Sequence, residues 1–498
     1  MSLKFYNSLT RKKEEFIPVE EGKVKMYVCG MTVYSDVHIG HARTYLAFDI
    51  IRRYFEYIGY NVKYIQNITD VDDKIIAAAN KEGIDPIKYS ERFADRCLKD
   101  LDDLGIRRAD LYPKASENIP DMIKMIQQIL DRGYGYLADG DVYFSVEKYK
   151  DYGKLSGQKI DEMKSGARIK PGEKKQSPLD FALWKHAKPD EPSWDSPWGK
   201  GRPGWHIECS TMSGKYLGLP FDIHGGGMDL RFPHHENEIA QAEAATGKQF
   251  SKYWMHIGLL TVDGEKMSKS LGNIINVKDL LKKWDSEVLR MFFAQAQYRS
   301  PPDFSEKALI NAKKGLKRIY RLKNRLEELS KNSARFDESK LTDEEKGYLK
   351  IIKDFKNNFN KAMDDDFNTP KAFAEIFDFV NKSNKFIKSN EKADSAVYKH
   401  SLDVFMKLGL VLTLFQPRKD KQDLTELNEN LMKLVAQNNK EPSKVVEENI
   451  RILLDIREQA RKEKNWKKAD EIRNNLQEIG VYIEDTIKGP VWKKKIEV

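Results

Sequence analysis

Cysteine is scarce, with three in 498 residues. Cys29, Cys97 and Cys209 cannot supply a disulfide framework, and this scarcity points to a reducing, cytoplasmic setting. No apolar run reaches the roughly 20 residues needed to cross a bilayer, which excludes a membrane-spanning helical protein. The opening stretch MSLKFYNSLTRKKEEF lacks the apolar segment of a secretory leader. No internal repeat is apparent either, which excludes a solenoid or propeller.

The remaining composition describes a soluble chain with real cores. Hydrophobic residues make up 40% and charged residues 33%, with a mean hydropathy of -0.66. A chain of this length divides into several domains. The net charge of +9 is compatible with a polyanionic partner, although lysine-rich surfaces also serve solubility.

The first hundred residues alternate strand-like and helical runs. KVKMYVC reads as a strand, HARTYLAFDIIRRYFEYIG as an amphipathic helix and YNVKYIQNI as a second strand. This order predicts a parallel sheet with helical crossovers. A helix follows in TDVDDKIIAAANKEG, with Thr69 or Asp70 as its cap. From Ser116 to Gly199 the text turns to hairpin and loop, read as an insertion between two halves of one α/β domain. LPFDIHGGG resumes strand character, PHHENEIAQAEAAT is helical, and YWMHIGLLTVDGEKMSKS is a strand or hairpin ending in a basic loop. Beyond residue 300 the pattern is helical. Leu309, Ala312, Leu316, Ile319, Leu326 and Leu329 share one face, and RFDESKLTDEEKG and QPRKDKQDLTELNEN read as linkers.

Two short strings carry nucleotide chemistry. HIGH, His38 to His41, follows a strand and opens a helix, where unpaired N–H groups and the positive dipole end suit phosphate. Gly40 leaves room for a flat base against the backbone. KMSKS, with Lys266, Ser268 and Lys269, places ammonium groups where they can neutralise a triphosphate. Cys29 ends the first strand, Cys209 lies in GWHIECSTMS, and FPHHENEIAQAE offers His234 or His235 with Glu236 or Glu238. A histidine and a glutamate one helical turn apart form a workable metal pair, but spacing alone does not choose among these four.

HIGH and KMSKS in this order resemble the signature of class I aminoacyl-tRNA synthetases. The segments YVCGMTVYSDVHIGHAR, NITDVDDKI, GRPGWHIECS, DIHGGGMDLRFPHHENEIAQAEA, DGEKMSKSLGN and YRSPPDF resemble the cysteinyl-tRNA synthetase family nearly end to end. The resemblance implies one zinc ion per subunit held by Cys29, Cys209, His234 and Glu238. It implies ATP with Mg²⁺ at His38, Gly40, His41, Lys266, Ser268, Lys269 and Asp229, and a cysteine pocket walled by Trp205 and Thr69. Arg461, Trp466, Asp470 and Asp485 are the implied anticodon readers, with L-cysteine, ATP and tRNA(Cys) as substrates and a monomer as the acting species.

The fold so implied is α/β. A Rossmann-like catalytic domain spans 1–115 and 200–270, interrupted by a connective insertion at 116–199. A stem-contact fold and helical bundle fill 271–420, and a small anticodon-binding domain fills 421–498. Cys97 matches no motif and is a core residue. Two alternatives are a cysteine ligase of the mycothiol pathway, against which the long C-terminal extension argues, and a catalytically inactive tRNA-binding paralog, against which intact HIGH and KMSKS argue.

Overall fold

The computed structural model describes residues 2–160, 174–189, 191–268, 271–331, 341–390, 393–416, 420–443, 445–479, 481–486 and 489–494. The chain forms two compact units, Met1–Phe415 and Gln416–Val498. Among the described residues, no helix is long and apolar enough to cross a membrane.

The first unit is organised by a four-stranded parallel sheet. Across it the strands run Ser251–Ile257, Phe221–Gly227, Lys23–Thr32 and Asn61–Thr69. These strands carry long apolar runs rather than strict alternation, as expected where helices cover both faces. Helix Ile39–Tyr57 crosses from the first strand to its neighbour on one side. Helix His234–Thr246 crosses between the two strands on the other side. The chain direction therefore diverges between Lys23–Thr32 and Phe221–Gly227, and open α/β sheets bind ligands in the crevice at such a switch point.

The first strand does not stop at Cys29 but continues to Thr32, with an irregularity against its neighbour between Val28 and Met31. Irregularities of this kind re-aim a side chain, and Cys29 and Gly30 occupy it. The Gly30 N–H donates to Asn67 Oδ1 at 2.8 Å. A Cβ on Gly30 would fall 1.6 Å from the Asn67 carbonyl oxygen, so the close approach of the two strands depends on glycine here.

The helix in TDVDDKIIAAANKEG spans Asp73–Glu82 and is capped by Asp72, whose side chain accepts from Lys74 N–H. Neither Thr69 nor Asp70 caps it. Thr69 remains in its strand and donates to Glu208 Oε2 at 2.9 Å, while Asp70 accepts from Ser116. Between the two halves of the parallel sheet lies an antiparallel sheet of Gly135–Ala138, Asp141–Phe144, Phe181–His186 and Gly201–Pro203. Its last strand runs past residue 199 and leads directly into helix Trp205–Leu217.

Helices Glu306–Leu329, Asp343–Asp364, Thr369–Ser389 and Ser395–Val411 complete the first unit. Leu309, Ala312, Leu316, Ile319 and Leu326 are buried as the periodicity requires, and Leu329 is half-buried. In the second unit, QPRKDKQDLTELNEN is not simply a linker, because helix Asp420–Gln437 takes up most of it. Helices Val446–Lys462 and Trp466–Glu478 and the antiparallel pair Val481–Thr486 and Gly489–Lys494 follow. Leu431, Leu453, Ile472, Leu476 and Val481 form its core.

Gly30→Ala is expected to destabilise the first unit by about 1–3 kcal/mol, the usual cost of overpacking. Thermal unfolding should show its midpoint lowered while the second unit keeps its own.

Candidate metal and nucleotide site

Four side chains from three elements meet at the switch point. Cys29 comes from the irregularity in the first strand, Cys209 from helix Trp205–Leu217, and His234 and Glu238 from the first turns of helix His234–Thr246. All four are buried, and one donor atom of each lies within 4.8 Å of the others. Cys29 Sγ is 3.7 Å from Cys209 Sγ and 3.3 Å from Glu238 Oε1. His234 Nε2 is 3.0 Å from the same carboxylate oxygen.

A second group of four overlaps the first, formed by Cys29, His224, His235 and Glu238. His224 Nε2 lies 3.5 Å from Cys29 Sγ and 3.1 Å from Glu238 Oε2, whereas His235 Nε2 is 4.0 Å from Glu238 Oε1. His235 Nδ1 is within 2.9 Å of His256 Nε2, and His256 Nδ1 is within 2.8 Å of Ser8 Oγ. His206 Nδ1 is 2.8 Å from His234 Nδ1, so the imidazole at Glu238 is itself held from behind. His235 is the alternative the sequence leaves open beside His234, whereas His206, His224 and His256 are not singled out there. Their signal was a histidine near the carboxyl end of a core strand or in the first turn of a helix that packs there.

Glu236 is removed from contention by its partners. Its carboxylate accepts from the backbone N–H groups of Gly153, Leu155 and Ser156, at 3.0, 3.4 and 2.7 Å. It therefore secures the insertion rather than the cluster.

The electrostatics of the cluster are those of buried charge stabilised by neighbours. Burial opposes a charge on every member, yet the imidazoles of His224 and His234 hold Glu238 well below the usual carboxylate range. Burial also works against ionising Cys209, but the hydrogen bond from Cys29 and the neighbouring His234 bring it down to about 6. Glu238 and Cys209 likewise overcome burial at His234 and raise it to about 10. Burial pushes the Cys29 thiol up and His235 well down. A soft, anionic, closely spaced donor set of this kind can hold a metal cation.

Trp205 stacks on His234 with ring centroids 4.3 Å apart, which sets it at the mouth of the cluster. Thr69 is buried beside it, bridging Glu208 and Asn67 Nδ2, the latter at 3.3 Å. Asn67 Oδ1 lies 3.6 Å from Cys209 Sγ, which ties Thr69 to the cysteine end of the site. Asn67 and Glu208 are further residues that sequence reading did not single out.

The nucleotide motif begins within a few residues of Cys29. His38 is the N-cap of helix Ile39–Tyr57, and its Nδ1 accepts from the N–H groups of Gly40 and His41 at 3.1 and 3.4 Å. An accepting Nδ1 on neutral imidazole puts the proton on Nε2. His38 and His41 stack with centroids 3.7 Å apart. A Cβ on Gly40 would approach the His38 ring at 3.0 Å and Met267 Cε at 3.1 Å, so HIGH and KMSKS abut at this glycine.

Ser268 N–H donates to Asn273 Oδ1 at 2.8 Å, and Asn273 Nδ2 donates to the Lys266 carbonyl at 3.1 Å. Lys269 lies outside the described residues. Asp229 is exposed in the short turn after strand Phe221–Gly227, on the same sheet edge. Arg461, Trp466, Asp470 and Asp485 all belong to the second unit. Arg461 is half-buried against Glu458, Trp466 is 59% exposed, and Asp470 is exposed one turn later on the same helix. Asp485 pairs with Pro490 in the terminal hairpin, its side chain lying outside the described residues.

Three family models match the chain. They are the class I (C) tRNA synthetase catalytic domain over residues 15–314, the DALR domain over 358–416 and the cysteinyl-tRNA ligase anticodon binding domain over 446–492. The cysteine--tRNA ligase of Thermococcus gammatolerans is 48% identical over 495 residues, 99% of both chains. That of Clostridioides difficile is 47% identical over 492 residues, 99% of this chain and 100% of its own. Among solved structures, Mycobacterium tuberculosis methionyl-tRNA synthetase with methionyl-adenylate shares the fold. It has a TM-score of 0.59 at 16% identity, covering 82% of this chain and 94% of its own.

Glu236→Ala is expected to lower the stability of the first unit by about 1–3 kcal/mol, because buried N–H groups lose their acceptor. Chemical denaturation measures the loss, and metal content of the folded variant should stay at the level of the parent chain.

Proposed function

The chain belongs to the cysteine--tRNA ligase family of class I aminoacyl-tRNA synthetases, and from that premise we propose how its residues divide the work. It joins L-cysteine to tRNA(Cys) at the expense of ATP. The cysteine carboxylate attacks the α-phosphate of ATP, forming cysteinyl-adenylate and releasing pyrophosphate. The 2′-hydroxyl of the terminal adenosine then attacks the adenylate carbonyl, and AMP leaves.

The observation that carries the assignment of residues is the burial of Cys29, Cys209, His234 and Glu238 within 4.8 Å of one another, beside the HIGH turn. Tetrahedral zinc bonds of about 2.3 Å to sulfur and about 2.0–2.1 Å to nitrogen or oxygen imply S···S, S···O and N···O edges of roughly 3.8, 3.6 and 3.3 Å. The separations here are 3.7, 3.3 and 3.0 Å, which favours one zinc ion on this set. The overlapping set contains one thiol instead of two and a longer N···O edge of 4.0 Å. A zinc ion held by Cys29, Cys209, His234 and Glu238 would supply a Lewis acid that prefers a thiolate to the hydroxyl of serine.

This chain's own residues do the rest. Trp205 and Thr69 bound the side-chain pocket. His38 donates from Nε2 to phosphate while its Nδ1 caps the helix, so the same ring orders the anion site and occupies it. His41 and Gly40 complete that cradle, and Asp229 faces the ribose. Lys266 and Lys269 neutralise the departing pyrophosphate and Ser268 offers a hydroxyl to the same phosphates, with Mg²⁺ accompanying the ATP. A carboxylate nucleophile is already ionised, so positioning and charge stabilisation dominate the barrier. The assigned zinc, pocket and phosphate residues come from one chain, which fits a monomer, and three unpaired cysteines fit the cytoplasm.

In the second unit Trp466 offers an exposed ring on which an unstacked base can lie. Arg461, Asp470 and Asp485 supply a cation and carboxylates for phosphate and base edges. We assign these four to the anticodon. We read 1–115 with 200–270 as the catalytic domain, 116–199 as its insertion, 271–420 as the stem-contact and helical region, and 421–498 as the anticodon-binding domain.

Zinc-stripped protein and Cys209→Ala are expected to lose preference for cysteine over serine in ATP–pyrophosphate exchange. A pocket reading size alone resolves such similar side chains by no more than about 10–200-fold. A larger preference surviving in both would overturn the role of zinc. Trp466→Ala should weaken tRNA charging by about tenfold, in line with the 1–3 kcal/mol of a base–aromatic stack, while exchange without tRNA stays at the parent rate. An equal loss in both assays would rule out an anticodon role.

A further inference from the structure

The two nucleotide motifs are distant in sequence, yet the backbone joins them directly. Ile39 N–H donates to the Ile275 carbonyl at 3.0 Å, and Val277 N–H donates to the Val37 carbonyl at 2.8 Å. His38 and Asn276 form an isolated antiparallel bridge between these bonds. The segment leaving KMSKS is thus laid against the residues that open HIGH. The segment entering KMSKS is held elsewhere, with Thr261 and Val262 pairing in parallel with Asp303 and Phe304. Each end of the basic loop therefore has its own anchor.

The HIGH-side anchor ends in an ion pair with no role in the chemistry assigned above. Asp36 lies two residues before the bridge and is largely buried, with 14% of its side chain exposed. One carboxylate oxygen meets the Lys278 ammonium, on the short helix Val277–Leu281 that the bridge leads into. The other lies 2.5 Å from the Arg96 guanidinium on helix Pro86–Asp103. Asp100, also on that helix, faces the same space, and its carboxyl is pushed up by burial and by Asp36. The helix after KMSKS has five residues, too few to hold a fixed orientation from its own hydrogen bonds. A charge-assisted contact to a rigid neighbour supplies what it lacks.

We propose that Asp36 is a positioning residue for amino-acid activation: through Lys278 it fixes the outgoing end of the KMSKS segment against the HIGH turn, so that cations of the loop and the HIGH residues converge on one triphosphate. This rests on the nucleotide roles assigned to the two motifs. Asp36 touches neither substrate. Its effect is on where the loop's charges stand when pyrophosphate departs, and a displacement of an ångström there is expensive.

The test is ATP–pyrophosphate exchange with ATP and cysteine varied separately, for Asp36→Asn, Asp36→Glu, Lys278→Met and the Asp36→Asn/Lys278→Met double variant, with unfolding midpoints recorded alongside. Asp36→Asn is expected to lower kcat/KM for ATP by at least about tenfold and to move KM for cysteine by less than about twofold. Asp36→Glu should recover most of the loss. Lys278→Met should reproduce it at a partly exposed position, which keeps the test alive if Asp36→Asn does not fold. The double variant should be no worse than the worse single, as for two residues acting through one contact. Unchanged ATP parameters, equal losses toward ATP and cysteine, or additive losses would each overturn the proposal. Absence of cysteine-dependent exchange in the parent chain would instead defeat the functional reading itself.

Discussion

A carboxylate without solvent sits at the centre of this protein, and the arrangement around it follows from the need to compensate that charge. Glu238 is fully buried, with His224 and His234 against its two oxygens. Burying such a group costs several kcal/mol unless partners meet it closely. The partners come from distant parts of the chain: a thiol at the strand irregularity, a second thiol on helix Trp205–Leu217, and an imidazole one turn away on the same helix as Glu238. His206 and His256 then fix the outer nitrogens of His234 and His235, so each layer orients the one inside it. Charge balance and ring orientation are built into the fold at this point. In the proposed function the same anionic, sulfur-rich pocket selects the metal and, through it, the amino acid.

The order of strands explains why the buried cysteines and the HIGH turn lie near one another. One strand, Lys23–Thr32, delivers Cys29 at the irregularity and a few residues later His38 at a helix N-terminus. The neighbouring strand, Phe221–Gly227, delivers His224 within the sheet and then the turn with Asp229. A ligand spanning that crevice would meet sulfur donors at one end and the His38 and His41 rings at the other, because the first-turn N–H groups of the helix are already bonded to His38 and to the Ile275 carbonyl. In the proposed function the segment YVCGMTVYSDVHIGHAR, with its cysteine and paired histidines, serves two neighbouring subsites.

Much of this was legible from the sequence because the local signals agreed with the fold. Apolar runs such as KVKMYV and NVKYIQNI are what strands buried on both faces require, and the amphipathic run after HIGH could only be a crossover helix. Other features had no local signal. TDVDD contains several possible caps, and the choice of Asp72 was made by Glu208, which holds Thr69 in its strand from far along the chain. His224 and His256 stand in separate segments, and the register that pairs Tyr27 with His224 and His256 with Gly226 sets their strands side by side. Asn67 and Glu208 follow no periodicity, since their roles come from what packs against them. Helix Asp420–Gln437 was obscured by its opening turn, DKQD, which is polar and charged and offers no apolar residue before Leu424.

The central place of strand Lys23–Thr32 carries a consequence for how the chain is made. One of its neighbours, Asn61–Thr69, emerges soon after it, but the other, Phe221–Gly227, comes only after the whole intervening antiparallel sheet. At ordinary translation rates of about 5–20 residues per second, the gap of roughly 150 residues leaves the strand with an open edge for about 8–30 s. Unpaired edges invite wrong partners. Until the third core strand and the helix after it arrive, Cys29 lacks His234 and Glu238, two of the side chains that enclose it in the finished fold.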